Sequence, residues 1–404
     1  MQETSDRLTT AFQSSSSNSA ARTLPTIREL LPITEFKQFH PDPNINFQLN
    51  RFLIPGLEQQ FAEIGAKIKD FDDWKSQFWT VASAHENRGD LGRAARLYRA
   101  AEFFISPDDP DRERAADRFI ELFYRVHANQ NLQRIEIPYG SGHLHGLRLH
   151  SAVQSHGTIV IHAGFDAYVE EFHALAEAIA LCGYEVVMFD GPGQGSTLLR
   201  EKMPMTHEWE KPVGAVLDHL GLADVTLIGI SLGGYLAIRA AAFEPRIRRV
   251  VAYDVMLDFF QCVASRRGKL AEVALNLFVR LRLSTLIDMM ARSMMKGDLY
   301  SKWGIQQGMH VTGSASPSEY FFKLKAYNTR KISQRVTQDT LIMAGAEDHF
   351  VPLEQFFDQL PLLVNARSVT AQIFTRADQA QSHCQIGNLG LALTQIIGWV
   401  ETHS

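Results

Sequence analysis

The chain has 404 residues, and its 40 lysine and arginine side chains against 45 aspartate and glutamate side chains give a net charge of −5. This length predicts two or three structural units, and the mildly acidic charge argues against nucleic acid or an anionic membrane as a partner. The three cysteines lack paired spacing, which predicts no disulfide framework and no zinc site. The absence of an apolar signal segment or membrane span favours a cytoplasmic protein.

The first part of the chain divides into a polar tail and a helical region. Residues 1–22 are rich in Ser and Thr and poor in apolar side chains, which predicts a disordered tail. Residues 23–130 predict a helical N-terminal domain, because apolar residues recur every three or four positions and Gly89-Asp90 interrupts the pattern between two helices. One stretch resembles a single tetratricopeptide unit through Ala84, Gly89, Ala94, Tyr98 and Ala101. One unit cannot form a solenoid, so we expect a helical hairpin that packs on the rest of the protein.

The pattern changes near residue 131, where short apolar strands begin to alternate with helices. A strand pair is predicted in "RIEIPYGSGHLHGLRLH", and further strands at 158–162, 185–189, 225–229, 249–254, 340–344 and 369–374. Helices are predicted near 170–182, 207–220, 233–244, 353–363 and 386–402. This alternation predicts an α/β fold with a mostly parallel sheet, whose ligands bind at the carboxyl ends of the strands.

A long helical insertion separates two parts of this core. We expect the core to comprise residues 131–255 and 336–404, with a helical cap at residues 256–335. One stretch of the cap, residues 283–310, carries five methionines, for which packing in a core is favoured over contact with a substrate: Met289, Met290, Met294, Met295 and Met309.

The segment "LIGISLGGYLAIRAAAFEP", residues 227–245, predicts a nucleophile at Ser231. A strand, then Gly-x-Ser-x-Gly, then a helix is typical of a turn that lifts a serine hydroxyl above the sheet edge. Gly229 and Gly233 remove β-carbons that would obstruct this turn. The alternative without a catalytic role is an ordinary connection between a strand and a helix.

A serine nucleophile needs a base and an acid, which follow it in the chain in this type of fold. Asp348 follows the strand in "TLIMAGAEDHFVP", and His383 lies in the loop after the last strand. Glu347 and Asp378 compete with Asp348, and His349 competes with His383. We favour Asp348 because Gly345 and Pro352 shape its loop, and His383 because His349 is too close in sequence to be held by that acid.

An oxyanion hole needs two backbone N–H groups directed at the developing charge. Leu232, the residue after the serine, supplies one, and Gly164 or Phe165 in "HAGFDAY" supplies the other. The glycine-rich "FDGPGQGS" matches no nucleotide-binding fingerprint, so it predicts a tight turn beside the site and no bound cofactor.

The segments HAGFDAYVEEF, FDGPGQG, GISLGG, GAEDHFVP and SHCQIGNLG, behind a helical N-terminal region, resemble α/β-hydrolases. The resembled proteins are 2,6-dihydroxypseudooxynicotine hydrolase and the fungal heptaketide hydrolases of pigment synthesis, near the fermentation–respiration switch esterases. The resemblance implies an α/β-hydrolase fold, a triad of Ser231, Asp348 and His383, and a homodimer. It also implies that Asp166 assists catalysis; an N-cap of the helix near Tyr168 is the other role considered, and the two roles are compatible.

These relatives cleave carbon–carbon bonds next to carbonyls, which favours a hydrolase that acts on a polyketide-like or 1,3-dicarbonyl substrate in secondary metabolism. The alternatives are a carboxylesterase or thioesterase, and an enzyme that transfers or cyclises an acyl chain when water is excluded. A binding protein built on an inactive fold is a further alternative, but the complete set of Ser, Asp and His argues against it.

Overall fold

Helices form the first part of the computed structural model, which describes residues 26–128, 130–151 and 153–403. The tail predicted for residues 1–22 lies outside the described residues. The helices are α1 (Ile27–Leu30), α2 (Pro43–Phe52), α3 (Glu58–Gly65), α4 (Phe71–Asn87), α5 (Leu91–Glu102) and α6 (Pro110–Val126). Aspartates accept backbone N–H groups at the starts of α2, α4 and α6, as expected for N-caps. Gly89, at φ 77°, ends α4, so the predicted helical hairpin is confirmed.

The described residues form an eight-stranded sheet in the order β1-β2-β4-β3-β5-β6-β7-β8. The strands are β1 (Leu132–Tyr139), β2 (Gly142–Leu149), β3 (Thr158–His162), β4 (Glu185–Asp190), β5 (Val225–Ile230), β6 (Ile247–Tyr253), β7 (Asp339–Gly345) and β8 (Ser368–Phe374). β1 and β2 pair antiparallel and extend a sheet in which β3 to β8 run parallel. The predicted α/β fold is confirmed, and the predicted strand ends agree with the structure to within two residues.

Helices cover both faces of this sheet. Those connecting its strands are α7 (His173–Leu181), α8 (Gly195–Glu201), α9 (Glu210–Leu220) and α10 (Gly233–Ala241), with α16 (Glu354–Gln359) and α17 (Leu389–Thr402) in the last part. The interval predicted to hold a cap contains α11 (Phe259–Ala264), α12 (Lys269–Arg280), α13 (Ser284–Gly297), α14 (Leu299–Thr312) and α15 (Pro317–Leu324). The division of the chain into domains at the predicted boundaries stays a prediction.

Two apolar cores lie on opposite faces of the sheet. One includes Trp74 and Phe78 of the N-terminal helices together with side chains of the sheet, so these helices and the sheet share one apolar core. The other includes Trp209 and Tyr235. No helix in the described ranges has the length and apolar composition needed to cross a membrane. Because β3 to β8 are parallel, the residues that follow β5, β6, β7 and β8 all lie along one edge of the sheet.

Candidate active site

Ser231 occupies a sharp turn between β5 and α10. Its φ of 63° is in the left-handed region that side chains other than glycine rarely adopt. The neighbouring glycines are needed because the turn is tightly packed: a β-carbon on Gly229 would lie 1.9 Å from the carbonyl oxygen of Gly233. A β-carbon on Gly234 would lie 1.9 Å from the carbonyl oxygen of Asp254. The predicted strand, turn and helix around Ser231 are therefore present.

His383 connects Ser231 to Asp348. Its Nε2 atom lies 2.8 Å from Ser231 Oγ, and its Nδ1 atom lies 2.5 Å from Asp348 Oδ2. The backbone N–H groups of Phe350 and Val351 donate to Asp348 Oδ1 at 2.7 and 3.0 Å, which fixes the carboxylate. The side chains of His383 and Asp348 are only 7% and 2% exposed. The structure thus brings together three predicted residues that are distant in the chain.

Asp348 and His383 shift each other's pKa values. Burial works against ionisation of Asp348, but the charge of His383 and the hydrogen bonds to the carboxylate outweigh it, so the pKa of Asp348 is lowered. Burial likewise disfavours the protonated ring of His383, but the charge of Asp348 raises the pKa of His383 well above its ordinary value. A proton taken from Ser231 would therefore be stabilised on His383.

The residues that competed with Asp348 and His383 in the sequence make other contacts. Glu347 pairs with Arg376 at the surface, and Asp378 accepts the N–H of Thr375 within a turn. Burial lowers the pKa of His349 to about 3, so this ring is neutral. None of the three contacts the Ser231 hydroxyl.

A second buried carboxylate, Asp254, lies beside His383. It follows β6, the strand between β5 and β7, and is 1% exposed. Its Oδ2 atom lies 3.6 Å from His383 Nδ1 and accepts the N–H of Cys384 at 2.8 Å. Its Oδ1 atom accepts the side-chain amide of Gln385 at 2.8 Å, while the hydroxyl of Tyr253 donates to the carbonyl of Cys384. Asp254 therefore holds the loop that carries His383.

The loop after β3 lies against the Ser231 turn, as predicted for an oxyanion hole. A β-carbon on Gly164 would lie 2.7 Å from the backbone nitrogen of Leu232, so the two segments touch. Among the described residues, the N–H groups of Gly164, Phe165 and Leu232 have no hydrogen-bond acceptor. The side-chain amide of Gln194 donates to the carbonyls of Ala163 and Gly164 at 2.7 and 2.9 Å and fixes this loop. The glycine-rich turn thus positions the loop beside Ser231.

Asp166 pairs with arginines from the N-terminal helices. Its Oδ1 atom accepts from Arg51 of α2 at 2.8 Å, and its backbone carbonyl accepts from Arg99 of α5. Both arginines also pair with Glu171. The N-cap alternative for Asp166 is wrong, because the short turn Val169–Phe172 begins with Tyr168 at its N-cap, and the N–H of Val169 donates to Asp190.

A cavity of about 720 Å³ lies over Ser231, His383 and the loop with Asp166. Aromatic side chains from the N-terminal helices, the loops at the sheet edge and the inserted helices line much of it: Phe47, Phe165, Phe259, Tyr300, Trp303 and Phe350. Phe165 contacts Phe259 and Trp303 with ring centroids 5.4 and 6.0 Å apart. Met294 is the one cap methionine of the predicted five that lines this cavity in the described chain.

Four residues at this site were not predicted: Asp254, Gln194, Arg51 and Arg99. The carboxylate of Asp254 directly after a buried strand was a usable signal, since that position lies at the sheet edge. The pattern of the sequence carries no comparable signal for Arg51, whose partner Asp166 is 115 residues further along the chain.

Three comparisons relate the chain to known proteins. A family model described as alpha/beta hydrolase fold matches residues 157–360, half of the chain. The hydrolase acrC of Aspergillus aculeatus is 29% identical over 367 residues, which cover 78% of this chain and 84% of that protein. The 20-hydroxy-prefusarin hydrolase FUS2 of Gibberella moniliformis is 32% identical over 264 residues, which cover 55% of this chain and 62% of that protein.

Solved structures resemble the chain over most of its length. The structure named AbyA5 superimposes with a TM-score of 0.65 at 18% identity, covering 88% of this chain and 94% of that chain. The structure of 2,6-dihydroxy-pseudo-oxynicotine hydrolase gives a TM-score of 0.61 at 19% identity, covering 87% and 93%. At these identities the likeness shows a shared fold that includes the N-terminal helices.

Proposed function

Since the chain belongs to the alpha/beta hydrolase fold family, we propose that it is a cofactor-independent serine hydrolase that cleaves a carbon–carbon bond next to a carbonyl. The substrate class is a polyketide-like 1,3-dicarbonyl compound of secondary metabolism. The observation that carries the proposal is the hydrogen-bonded series from Ser231 through His383 to Asp348 at the floor of the aromatic cavity.

In the first step Ser231 Oγ attacks the carbonyl while its proton moves to His383 Nε2. The carbonyl oxygen becomes an oxyanion, which the N–H groups of Leu232 and of Gly164 or Phe165 stabilise. Collapse of this intermediate breaks the carbon–carbon bond, and the electron pair leaves on the enolate of the remaining ketone. The proton on His383 neutralises the enolate, and water then releases the acyl group as a carboxylic acid.

Asp166 acts as a general base toward the enol hydroxyl of the substrate in this proposal. Its carboxylate is paired with Arg51 on one side, and the loop that bears it forms part of the cavity wall. An anion held in this way is suited to accept a hydrogen bond and to orient the enol or water beside Ser231. Arg51 and Arg99 fix this loop and are positioning residues.

The lining of the cavity supports an extended, conjugated substrate. Aromatic rings from three parts of the chain face the space above Ser231, and such rings pack well against flat unsaturated molecules. FUS2 is named as a hydrolase of 20-hydroxy-prefusarin, which supports a related substrate class here. A carboxylesterase or thioesterase would use the same Ser231, His383 and oxyanion loop and remains the second candidate.

Product analysis by mass spectrometry tests the proposal. The wild-type protein is incubated in H₂¹⁸O with an aryl 1,3-diketone and, separately, with an aryl ester, and the Ser231→Ala protein is the matched control. We expect the diketone to yield a carboxylic acid that contains ¹⁸O and a methyl ketone, with no such products from the control. Cleavage of the ester alone would favour the carboxylesterase or thioesterase over the carbon–carbon hydrolase.

The homodimer implied by the family resemblance also stays a proposal. Size-exclusion chromatography with light scattering tests it: a mass near twice the 45.4 kDa of the chain supports a dimer, and a mass near that of one chain contradicts it.

A further inference from the structure

Three arginines line one wall of the cavity that contains Ser231. Arg93, Arg96 and Arg99 follow one another at intervals of three residues along α5, and all three belong to the cavity lining. Residues at this spacing lie on the same side of a helix, one turn apart. Arg99 donates to the carbonyl of Asp166, so it lies nearest the oxyanion loop.

The two outer arginines of this series are paired with acids. Arg93 lies 3.3 Å from the carboxylate of Asp90. Arg99 lies 2.5 Å from Glu102 and 2.7 Å from Glu171. Their charges are therefore neutralised within the protein.

The acids that form ion pairs with arginines around the oxyanion loop are neutralised without Arg96. Three guanidinium groups, those of Arg51, Arg99 and Arg112, pair with three carboxylates, those of Asp166, Glu171 and Glu102. Each carboxylate in this set already faces at least one arginine. No acid of the set is left to neutralise a fourth cation.

Arg96 is that fourth cation. Among the described residues it has no carboxylate within ion-pair distance, and its guanidinium donates only a long 3.4 Å hydrogen bond to the carbonyl of Leu53. Much of its surface is accessible, yet burial lowers the pKa of its guanidinium and Glu171 offsets this only in part. Arg96 also belongs to the lining of the cavity.

We propose that Arg96 binds an anionic group of the substrate, a carboxylate or an acidic enol, carried on the part of the molecule remote from the reacting carbonyl. This inference rests on the proposed function and narrows its substrate class. A guanidinium presents two parallel N–H groups that match two oxygens sharing one negative charge. Arg96 lies three residues, about 4.5 Å along the helix axis, from Arg99, so the anionic group binds away from the contact between Arg99 and the loop with Asp166.

Paired substrates of different length test this subsite. The substrates are mono-4-nitrophenyl esters of adipic, suberic and sebacic acid, each compared with the same ester in which a primary amide replaces the free carboxylate. The readout is the ratio of kcat/KM for the acid to that for the amide, together with the separate KM values. The proteins are the full-length wild type, Arg96→Gln and the control Arg93→Gln, whose arginine is already paired.

We expect the wild type to prefer the acid at one or more chain lengths. Arg96→Gln should reduce this preference about 10- to 100-fold, the range for loss of one charged hydrogen bond, mainly through KM. Arg93→Gln should keep it. No preference in the wild type, or equal ratios in Arg96→Gln and Arg93→Gln, would overturn the subsite. Glutamine is a good helix former, so α5 should persist, and circular dichroism checks this.

A binding measurement separates failure of the subsite from failure of the proposed function. Isothermal titration with 8-oxo-8-phenyloctanoic acid and its primary amide needs no turnover. A wild type that cleaves no ester and no diketone would contradict the proposed function alone. Tighter binding of the acid to the wild type than to Arg96→Gln would still support the subsite, and equal affinities would overturn it.

Discussion

Replacement of Asp254 tests whether the loop that carries His383 is held by this buried carboxylate. Asp254 accepts hydrogen bonds from the N–H of Cys384 and from the side chain of Gln385. Asparagine preserves the size of the side chain but has one oxygen fewer. Gln385 can compensate, because its own Oε1 atom has no hydrogen-bond partner and a rotated amide could accept from the new asparagine.

The hydrogen bonds of Asp254 predict different losses in the free energy of unfolding for two substitutions. Asp254→Asn keeps both contacts after this rotation and should reduce the free energy of unfolding by less than about 1 kcal/mol. Asp254→Ala leaves two buried donors without acceptors, at about 1–3 kcal/mol each, and should cost about 2–6 kcal/mol. Above the pKa of about 7 at which Asp254 ionises, both variants remove a negative charge 3.6 Å from His383 Nδ1, so the pKa of His383 should fall.

The stability of Asp254→Asn should also depend on pH in a defined direction. Burial raises the pKa of Asp254 to about 7, whereas an unfolded aspartate titrates near about 4. The folded wild type therefore loses stability as pH rises between these values, because its unfolded chain has already released the proton. Asparagine cannot titrate, so the variant should gain stability relative to the wild type between pH 5 and pH 8.

Urea unfolding of both variants at pH 5 and pH 8, with kcat/KM measured across pH, checks this reasoning. Asp254→Asn should fold, gain relative stability at pH 8 and show its acid-side inflection at lower pH than the wild type. Equal losses of stability in the two variants, or a relative stability of Asp254→Asn that does not change with pH, would refute it.

Three further substitutions test other contacts at the site. Asp348→Asn should lower kcat by several orders of magnitude and move the acid-side inflection of kcat/KM to lower pH, because Asp348 raises the pKa of His383; an unchanged inflection in the pH profile would count against this. Gly234→Ala should prevent stable folding, since its β-carbon would lie 1.9 Å from the carbonyl oxygen of Asp254, and a wild-type melting temperature would contradict that packing. Asp166→Asn should lower kcat on an aryl diketone about 10²–10⁴-fold but much less on an activated aryl ester, and equal losses on both substrates would exclude a specific role in carbon–carbon cleavage.

Local patterns in the sequence explain why the fold could be predicted. The strands alternate with helices over short distances, and the glycines around Ser231 lie within five residues of one another. His383 and Asp348 could be predicted because each follows a recognisable strand, so that the fold alone places them near Ser231. The sequence did not decide between the two roles considered for Asp166, and the structure excludes the N-cap.

The remaining features depend on contacts between distant parts of the chain. Cys384, which donates to Asp254, follows it by 130 residues, and no pattern in the sequence indicates that the two are paired. That Arg96 has no carboxylate partner among the described residues is evident only once Asp166, Glu171 and Glu102 are assigned to other arginines. Such a balance of charge depends on the packing of the N-terminal helices against the sheet edge.

Covalent labelling with a fluorophosphonate tests the central claim that Ser231 is an activated nucleophile. Folded wild-type protein and the Ser231→Ala variant are treated with the reagent and compared by intact mass and peptide mapping. We predict one adduct per wild-type chain, on the peptide that contains Ser231, and none on the variant. A folded wild type that takes up no label, or a variant labelled to the same extent, would contradict the account.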